Sequence, residues 1–204
     1  MILHLIRHGE TRYNRDGLGL GRADAPLTDS GRAQAAALGA RMANEPIGRI
    51  LSSPLGRCLE TARAVAGGRE LRIEVRHELI ELDVGETEGM TFAAMREGFP
   101  AFLARWAGPD STNVPMPGGE SIADLDARLA PLIADLREDP EEVVAVVSHN
   151  FVTKVLLCRL LGLEPELFRS LGIDLASVTS VSLRDGRTFV RKLNDRCHLE
   201  VLEP

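Results

Sequence analysis

Cysteine and aromatic residues are scarce in this 204-residue chain, and each scarcity excludes a class of protein. The three cysteines lie far apart and form no CxxC pair, so the sequence predicts neither a disulfide framework nor a thiolate zinc site. Aromatic residues make up only 4% of the chain, too few for a surface that stacks nucleic-acid bases. The composition therefore argues against a disulfide-rich protein and a base-stacking protein.

Excess positive charge and long apolar runs are also lacking. The formal net charge of −6 gives no general attraction to nucleic acid or to anionic membranes. The charge-free stretch "VVAVVSHNFVT" is too short and too polar to span a bilayer. No signal peptide is predicted, because charged residues interrupt the apolar start "MILHLIRHGE" at once. We therefore expect a cytoplasmic protein with reduced thiols that binds neither nucleic acid nor membranes.

What is present is an ordinary globular composition, with 44% hydrophobic and 26% charged residues. Apolar runs typical of buried strands alternate with stretches typical of helices. The predicted strands cover 2–6, 49–53, 71–75 and 142–148, and the predicted helices cover 30–45, 55–65, 91–106, 120–138 and 151–161. A hairpin is expected around Asp185-Gly186. This alternation predicts an α/β fold, a three-layer α/β/α sandwich with a mostly parallel central sheet.

One long irregular region interrupts the alternation. Residues 77–91 show no steady period, and the Pro/Gly-rich connection "AGPDSTNVPMPGGE" lies between two predicted helices. We expect a single domain over 1–204 in which residues 77–120 form a partial cap over a site. The aromatic side chains in this region are interpreted either as a core face or as an apolar substrate wall; they are Phe92, Phe99, Phe102 and Trp106.

Polar residues follow three of the predicted strands at the points where the strands end. Arg7 and His8 follow the first strand, Arg57 follows the second after a turn, and His149 follows the last. Because the carboxyl ends of strands in an open α/β sheet converge on one crevice, these residues are expected to meet there. An arginine fork binds phosphate oxygens bidentately, and a neutral imidazole can attack phosphorus. The pattern therefore indicates a phosphate site.

With these residues in place, the sequence resembles the histidine phosphatase superfamily, the phosphoglycerate mutase-like proteins. Six blocks carry the resemblance, in the family's order and at compatible spacing: "RHGETRYN" at 7–14, "DAPLTDSGRAQA" at 24–35, "SSPLGRCLETA" at 52–62, "ELIELDVGETEG" at 78–89, "PGGES" at 117–121 and "VVSHNFVTKVLL" at 146–157. The resemblance implies a phosphoglycerate mutase-like fold and a phosphomonoester hydrolase that acts on a small phosphorylated metabolite through a phosphohistidine. It implies no metal and no cofactor.

The resemblance also implies a role for each matched residue. His8 would be the nucleophile, and Glu81 would be the general acid that protonates the leaving oxygen. The residues implied to act in catalysis are His8, Glu81, Arg7, Arg57 and His149. The residues implied to bind the substrate are Arg7, Asn14, Gly21, Arg57, His149 and Asn150. Several other carboxylates lie near Glu81, so its assignment rests on the matching block.

Two positions depart from the family's pattern. The family usually has glycine after the second histidine, where this chain has Asn150, so a side chain enters the rim of the pocket. The family often has Gln-Gly before the block at 24–35, where this chain has Leu20-Gly21. That exchange removes a polar contact to the substrate, so the substrate of a glutamine-bearing relative cannot be carried over.

Alternative interpretations stay open for single residues and for the function. His4 lies on the same strand face as His8 and suggests a metal pair, but without a third ligand we interpret it as structural. Arg12, Arg15 and Arg22 are interpreted as surface charges rather than substrate anchors, with binding of a second phosphate or a carboxylate by one or two of them left open. A phosphoglycerate mutase is the alternative enzyme, disfavoured because residues 82–116 hold only Arg96 and Arg105 as bases. A non-catalytic phosphate-binding protein on the same fold is the remaining functional alternative. The edge of such a sheet can pair two copies into a homodimer, but no sequence feature demands it.

Overall fold

Six strands form the central sheet in the computed structural model, which describes residues 1–202. The strands are β1 Ile2–Arg7, β2 Arg49–Ser52, β3 Ile73–Val75, β4 Val143–Ser148, β5 Val178–Arg184 and β6 Arg187–Asp195. Their order in the sheet is β3-β2-β4-β1-β5-β6. The first four of these run parallel, and the β5–β6 hairpin adds two antiparallel pairings at one edge. The predicted mostly parallel sheet is confirmed.

Helices cover both faces of this sheet. Within residues 1–202 they are α1 Arg12–Arg15, α2 Asp29–Met42, α3 Gly56–Ala66, α4 Phe92–Gly98, α5 Pro100–Trp106, α6 Ile122–Glu138 and α7 Asn150–Leu161. One buried apolar cluster joins the sheet to α6 and α7, and a second joins it to α2 and α3. Successive β1 residues alternate between them, since Leu3 and Leu5 belong to the first cluster and Ile6 to the second. The predicted three-layer sandwich is therefore confirmed.

The main departure from the predicted elements lies within 91–106. The sequence analysis predicts one helix there, which is wrong, because the structure has α4 and α5 meeting at Phe99. Pro100 lacks an amide proton and restricts the residue before it, and Phe99 leaves the helical region with φ −130° and ψ 49°. The two short helices that result both contribute side chains to one cavity, described below.

The loop after β1 packs tightly against the start of α2. A Cβ added to Gly9 would lie 2.5 Å from the carbonyl oxygen of Gly31, and a Cβ on Gly31 would meet the carbonyl oxygen of Glu10 still more closely. Thr28 caps α2 by accepting a hydrogen bond from the Gly31 amide at 2.9 Å. Its hydroxyl donates to the Glu10 carboxylate at 2.6 Å. These contacts hold the segment that carries His8.

The structure also bears on the sequence predictions about disulfides and membrane-spanning segments. Cys58 and Cys158 are buried and Cys197 is exposed, and none of the three forms a disulfide. No helix within residues 1–202 is long and apolar enough to cross a lipid bilayer.

Candidate active site

The carboxyl ends of β1, β2 and β4 bring four of the predicted residues into one pocket. The ring centroids of His8 and His149 lie 5.1 Å apart at an interplanar angle of 64°. Arg57 Nε lies 3.3 Å from Nδ1 of His149. Arg7 is the last residue of β1, and its charge acts directly on His8. The sheet therefore places two imidazoles and two guanidinium groups together.

His8 is buried with its ring fixed in one tautomer. Its Nδ1 lies 2.7 Å from the carbonyl oxygen of Gly9, which can only accept, so Nδ1 carries the proton and Nε2 keeps a free lone pair. Burial, reinforced by the charges of Arg57 and Arg7, holds the pKa of His8 well below its usual range. The imidazole is therefore neutral near pH 7, with Nε2 available as a nucleophile.

Arg57 is fully buried at the start of α3, and its guanidinium plane is held on three sides. Nη1 donates to the carbonyl oxygen of Ala23 and Nη2 to that of Gly21, each at 2.7 Å. Nε donates to His149. A guanidinium has five N–H donors, so one hydrogen on each Nη is left over after these bonds. Arg57 thus has a fixed orientation and two donors for an anion.

His149 is fully buried and also has a defined tautomer. Because Nδ1 accepts from Arg57, the proton is on Nε2, which donates to Ser53 Oγ at 2.8 Å. Burial and the nearby Arg57 charge hold the pKa of His149 well below its usual range. The Cys58 thiol lies 3.4 Å from Nε2 and donates to the carbonyl oxygen of Ser148. Burial raises the pKa of Cys58, so this thiol is a neutral packing group and no nucleophile.

Arg7 has an unsatisfied donor within this pocket. Its Nη1 donates to the carbonyl oxygen of Ile173 at 2.7 Å, whereas Nε is buried without a hydrogen-bond partner among residues 1–202. A buried donor left unpaired costs about 1–3 kcal/mol, and more when it is charged. Arg7 also lines a polar cavity of about 340 Å³ together with Asn14, Gln34 and Asp174. The unpaired Nε–H is therefore a donor that an anion reaching it would satisfy.

Glu81 is a carboxylic acid held in a dry environment, with only 3% of its surface exposed. Oε1 accepts from the Leu82 amide at 2.8 Å, and Oε2 accepts from the Phe151 amide at 3.2 Å. Burial raises the pKa of Glu81, although these two bonds and the charge of Arg57 oppose the shift. Such a carboxyl can hold a proton closer to neutral pH than an exposed one and can pass it to a leaving group.

Two arginines support the backbone at Glu81. Nε of Arg22 lies 3.3 Å from the Glu81 carbonyl oxygen, and Nη2 of Arg128 lies 3.5 Å from it. Arg22 also pairs with Asp83 at 3.2 Å and with Glu120 at 2.8 Å. The interpretation of Arg22 as a surface charge is therefore wrong, because its side chain is half-buried and joins the 21–23 loop to the Glu81 segment.

The remaining residues predicted to bind the substrate differ in which of their polar groups already have hydrogen-bond partners. Asn14 uses its Oδ1 to accept from the amide and hydroxyl of Thr11, and its Nδ2 is left for a ligand. Gly21 has both backbone groups engaged, since its carbonyl accepts from Arg57 and its amide donates to Glu88 at 2.8 Å. Gly21 therefore holds Arg57 in place, and the substrate contact that the resemblance implies for Gly21 stays a prediction. Asn150, half-buried, begins α7.

Sequence reasoning missed the groups that set the protonation of the two histidines. The carbonyl of Gly9 and the hydroxyl of Ser53 lie within the quoted blocks, but only their positions in space assign them these roles. It also missed Lys154, half-buried one turn into α7. Burial lowers the pKa of Lys154, and the charges of Arg7, Glu81 and Asp174 act on it. The sequence signal for Lys154 is its position in "SHNFVTK", five residues after His149 and therefore in the first turns of the helix that follows the strand.

A second cavity, about 270 Å³ in volume, lies beside Glu81 and differs in chemistry from the polar one. Its lining residues are Gly19, Leu20, Val84, Thr87, Phe92, Met95, Phe102, Leu103, Trp106, Met116 and Phe151. Three of the four predicted aromatic residues line this apolar cavity, and Phe99 does not. Phe102 and Trp106 also pack against the α6–α7 core, so they act both as core residues and as cavity wall.

The mostly parallel α/β/α sandwich, with histidines and arginines at its strand ends, matches phosphoglycerate mutase-like structures. The chain belongs to the histidine phosphatase superfamily (branch 1), whose family model matches residues 3–196. It is 33% identical over 198 residues to phosphoserine phosphatase 1 of Hydrogenobacter thermophilus, covering 97% of this chain and 93% of that protein. It is 32% identical to the adenosylcobalamin/alpha-ribazole phosphatase of Escherichia coli, covering 96% and 97% of the two chains.

The solved structures include equally similar chains. The alpha-ribazole phosphatase of Shigella flexneri superimposes with a TM-score of 0.89 at 30% identity, over 96% of this chain and 97% of that one. The family and these phosphatase relatives support a phosphomonoesterase.

Proposed function

We propose that this protein is a metal-independent phosphomonoesterase that hydrolyses a small phosphorylated metabolite through a phosphohistidine at His8. The observation that carries the proposal is the tautomer of His8. Its Nδ1–H is held by the Gly9 carbonyl, so Nε2 has its lone pair free in a pocket that contains Arg7 and Arg57. A neutral imidazole between two guanidinium groups suits nucleophilic attack on a bound phosphoryl group.

In the first half-reaction, His8 Nε2 forms a bond to phosphorus while the bond from phosphorus to the ester oxygen breaks. Glu81 donates its proton to the departing oxygen, which leaves as an alcohol. The free hydrogens of Arg57 and the unpaired Nε–H of Arg7 bind the phosphoryl oxygens as negative charge spreads over them. His149 holds the Arg57 plane through Nδ1, while its Nε2–H, the one donor of its ring, is given to Ser53 Oγ.

In the second half-reaction, a water molecule attacks the phosphohistidine. The Glu81 carboxylate, now without its proton, accepts a proton from this water as the new oxygen–phosphorus bond forms. The nitrogen–phosphorus bond breaks, inorganic phosphate leaves, and His8 and Glu81 return to their starting protonation states. No electron carrier or external base is required, because one carboxyl serves as acid and then as base.

The proposed function specifies the chemical class of the substrate and no individual metabolite. The relatives act on phosphoserine and on adenosylcobalamin or alpha-ribazole phosphates, according to their names. We propose a small phosphate monoester for this chain as well, with Asn14 and Asn150 at the rim of its site. We further propose that residues 77–120, which contain Glu81, α4 and α5, form a partial cap over that site within one domain.

The test is phosphate release from p-nitrophenyl phosphate in the presence of EDTA. We expect turnover by the wild type and none above background by His8→Ala. The matched control is His77→Ala, since His77 is an exposed histidine outside the pocket. Equal rates for wild type and His8→Ala would refute the proposal, and so would a strict requirement for added metal.

A mutase would share the first half-reaction and return the phosphoryl group to a second hydroxyl. Assay of 3-phosphoglycerate with added 2,3-bisphosphoglycerate separates the two outcomes. We expect inorganic phosphate as the product. Efficient formation of 2-phosphoglycerate would identify a mutase.

A further inference from the structure

The apolar cavity beside Glu81 points to the nature of the leaving group. We propose that the preferred substrate is a phosphate monoester whose alcohol carries an aromatic or alicyclic group, and that this group binds between α4, α5 and Phe151. This inference rests on the proposed function, because it assigns the part of the substrate that departs with the Glu81 proton.

Two residues link the cavity to the catalytic residues. Phe151 donates its backbone amide to Glu81 Oε2 at 3.2 Å, and Phe151 also lines the cavity. Leu20, also in the lining, directly precedes Gly21, whose carbonyl accepts from Arg57. The cavity is therefore one residue away from both Glu81 and Arg57. In the proposal, the alcohol that accepts the Glu81 proton extends toward Phe151 and this apolar wall.

The lining offers no charged partner to a charged leaving group. Among the described residues that line the cavity, none is charged, and the polar side-chain groups are the Thr87 hydroxyl and the indole N–H of Trp106. The hydroxyl already donates to the Val84 carbonyl at 2.7 Å. An ammonium group placed here would meet no carboxylate, and a carboxylate would have at most the indole N–H in exchange for its water, which is unfavourable. Phosphoserine and the phosphoglycerates are therefore expected to be poor substrates for this chain.

Size and exposure agree with an apolar occupant. A dry apolar cavity of about 150 Å³ is enough to bind benzene, and this one is about 270 Å³. Phe92, at the start of α4, is 64% exposed in the free protein, so a ligand in the cavity would remove apolar surface from water. Leu20 stands where many family members have glutamine, and here its apolar side chain forms part of the wall.

The kinetic test compares 1-naphthyl phosphate with phosphoserine as substrates of one enzyme. We expect wild-type kcat/KM to be at least tenfold higher for the naphthyl ester. Phe92→Ala and Leu20→Gln should each lower the naphthyl-to-phosphoserine ratio of kcat/KM by about fivefold, less than a fully buried group gives because both sites are partly exposed. The control is Phe189→Ala, a 51% exposed phenylalanine on β6, which should leave the ratio unchanged.

A binding test uses the only tryptophan of the chain, Trp106, which lines the cavity. Cyclohexylmethylphosphonate should change the Trp106 fluorescence saturably, whereas methylphosphonate, which lacks the cyclohexyl ring, should bind without that change. The inference fails if wild type prefers phosphoserine, if the ratio is the same in all four proteins, or if both phosphonates give the same signal. Failure of the proposed function would look different, since hydrolysis of every ester would then be absent, equal in wild type and His8→Ala, or dependent on added metal.

Discussion

The catalytic pocket and the apolar cavity are adjacent, but they are built on opposite principles. In the pocket, Arg57 and His149 are fully buried and hydrogen-bonded to backbone carbonyls, to the Ser53 hydroxyl and to one another, so orientation and protonation are fixed in advance. In the cavity, Phe92 is exposed and Leu20 is half-buried, and the lining lacks polar groups that select one geometry. Preorganised charge suits a step common to all phosphate esters, and an apolar wall suits discrimination among alcohols.

Replacement of His8 by alanine should have the largest effect, abolishing the chemistry of the catalytic pocket while leaving ligand binding in the apolar cavity intact. We expect kcat to fall about 10⁴-fold or more, by the same factor for apolar and polar esters, because the nucleophile is lost. Rapid quenching and mass spectrometry should detect phosphoenzyme in wild type and none in the variant. Cyclohexylmethylphosphonate should still change the Trp106 fluorescence of His8→Ala. Loss of that response would mean that the regions are not independent.

Glu81→Gln should give the next largest effect, about 10²- to 10⁴-fold in kcat, since the variant has no proton to donate. Burial raises the pKa of Glu81, so wild-type kcat/KM should fall as pH rises through that pKa and the acid is lost. Burial depresses the pKa of His8, so the acidic decline should occur only well below pH 6.5. The pH–rate profile of Glu81→Gln should lack the alkaline decline. An unchanged profile would assign the proton donor to another group.

Arg57→Lys tests whether the pocket requires the planar guanidinium rather than a positive charge. A lysine ammonium cannot hold Ala23, Gly21 and His149 while also binding two phosphoryl oxygens. Loss of charge-assisted bonds worth about 1.5–3 kcal/mol should weaken inhibition by vanadate roughly 10- to 100-fold. Arg12→Lys, an exposed arginine on α1, is the matched control. Equal inhibition of the two variants would remove Arg57 from the anion site.

Met95→Gln should give the smallest effect and the one most specific to the cavity. It places an amide without a partner in the apolar wall, which should raise KM for 1-naphthyl phosphate about three- to tenfold. The change in kcat should be smaller than the change in KM, because the reacting atoms are untouched. A variant with reduced kcat and an unaltered KM would show that the cavity acts on chemistry rather than on binding.

The sequence predicts the catalytic pocket better than it predicts the apolar cavity. Arg7, His8, Arg57 and His149 follow buried strands, and parallel strand ends must converge, so local pattern and topology were sufficient to bring them together. The sequence analysis predicts one helix over 91–106 because the aromatic residues have helical spacing, whereas Pro100 ends α4 at the residue before it. The cavity forms because Leu20, Phe92 and Phe151, which lie in separate segments, line the same space. The spacing of residues along the chain does not predict that arrangement.

The contact between Gly9 and Gly31 has a consequence for any genetic survey of this enzyme. Gly31 has no reactive group, yet any side chain there would push against the backbone at Glu10 and displace the neighbouring nucleophile. A screen of random variants for inactive clones should therefore recover Gly31 substitutions beside those of His8. Loss of activity in such a clone would report displaced backbone and would not reveal a missing chemical participant.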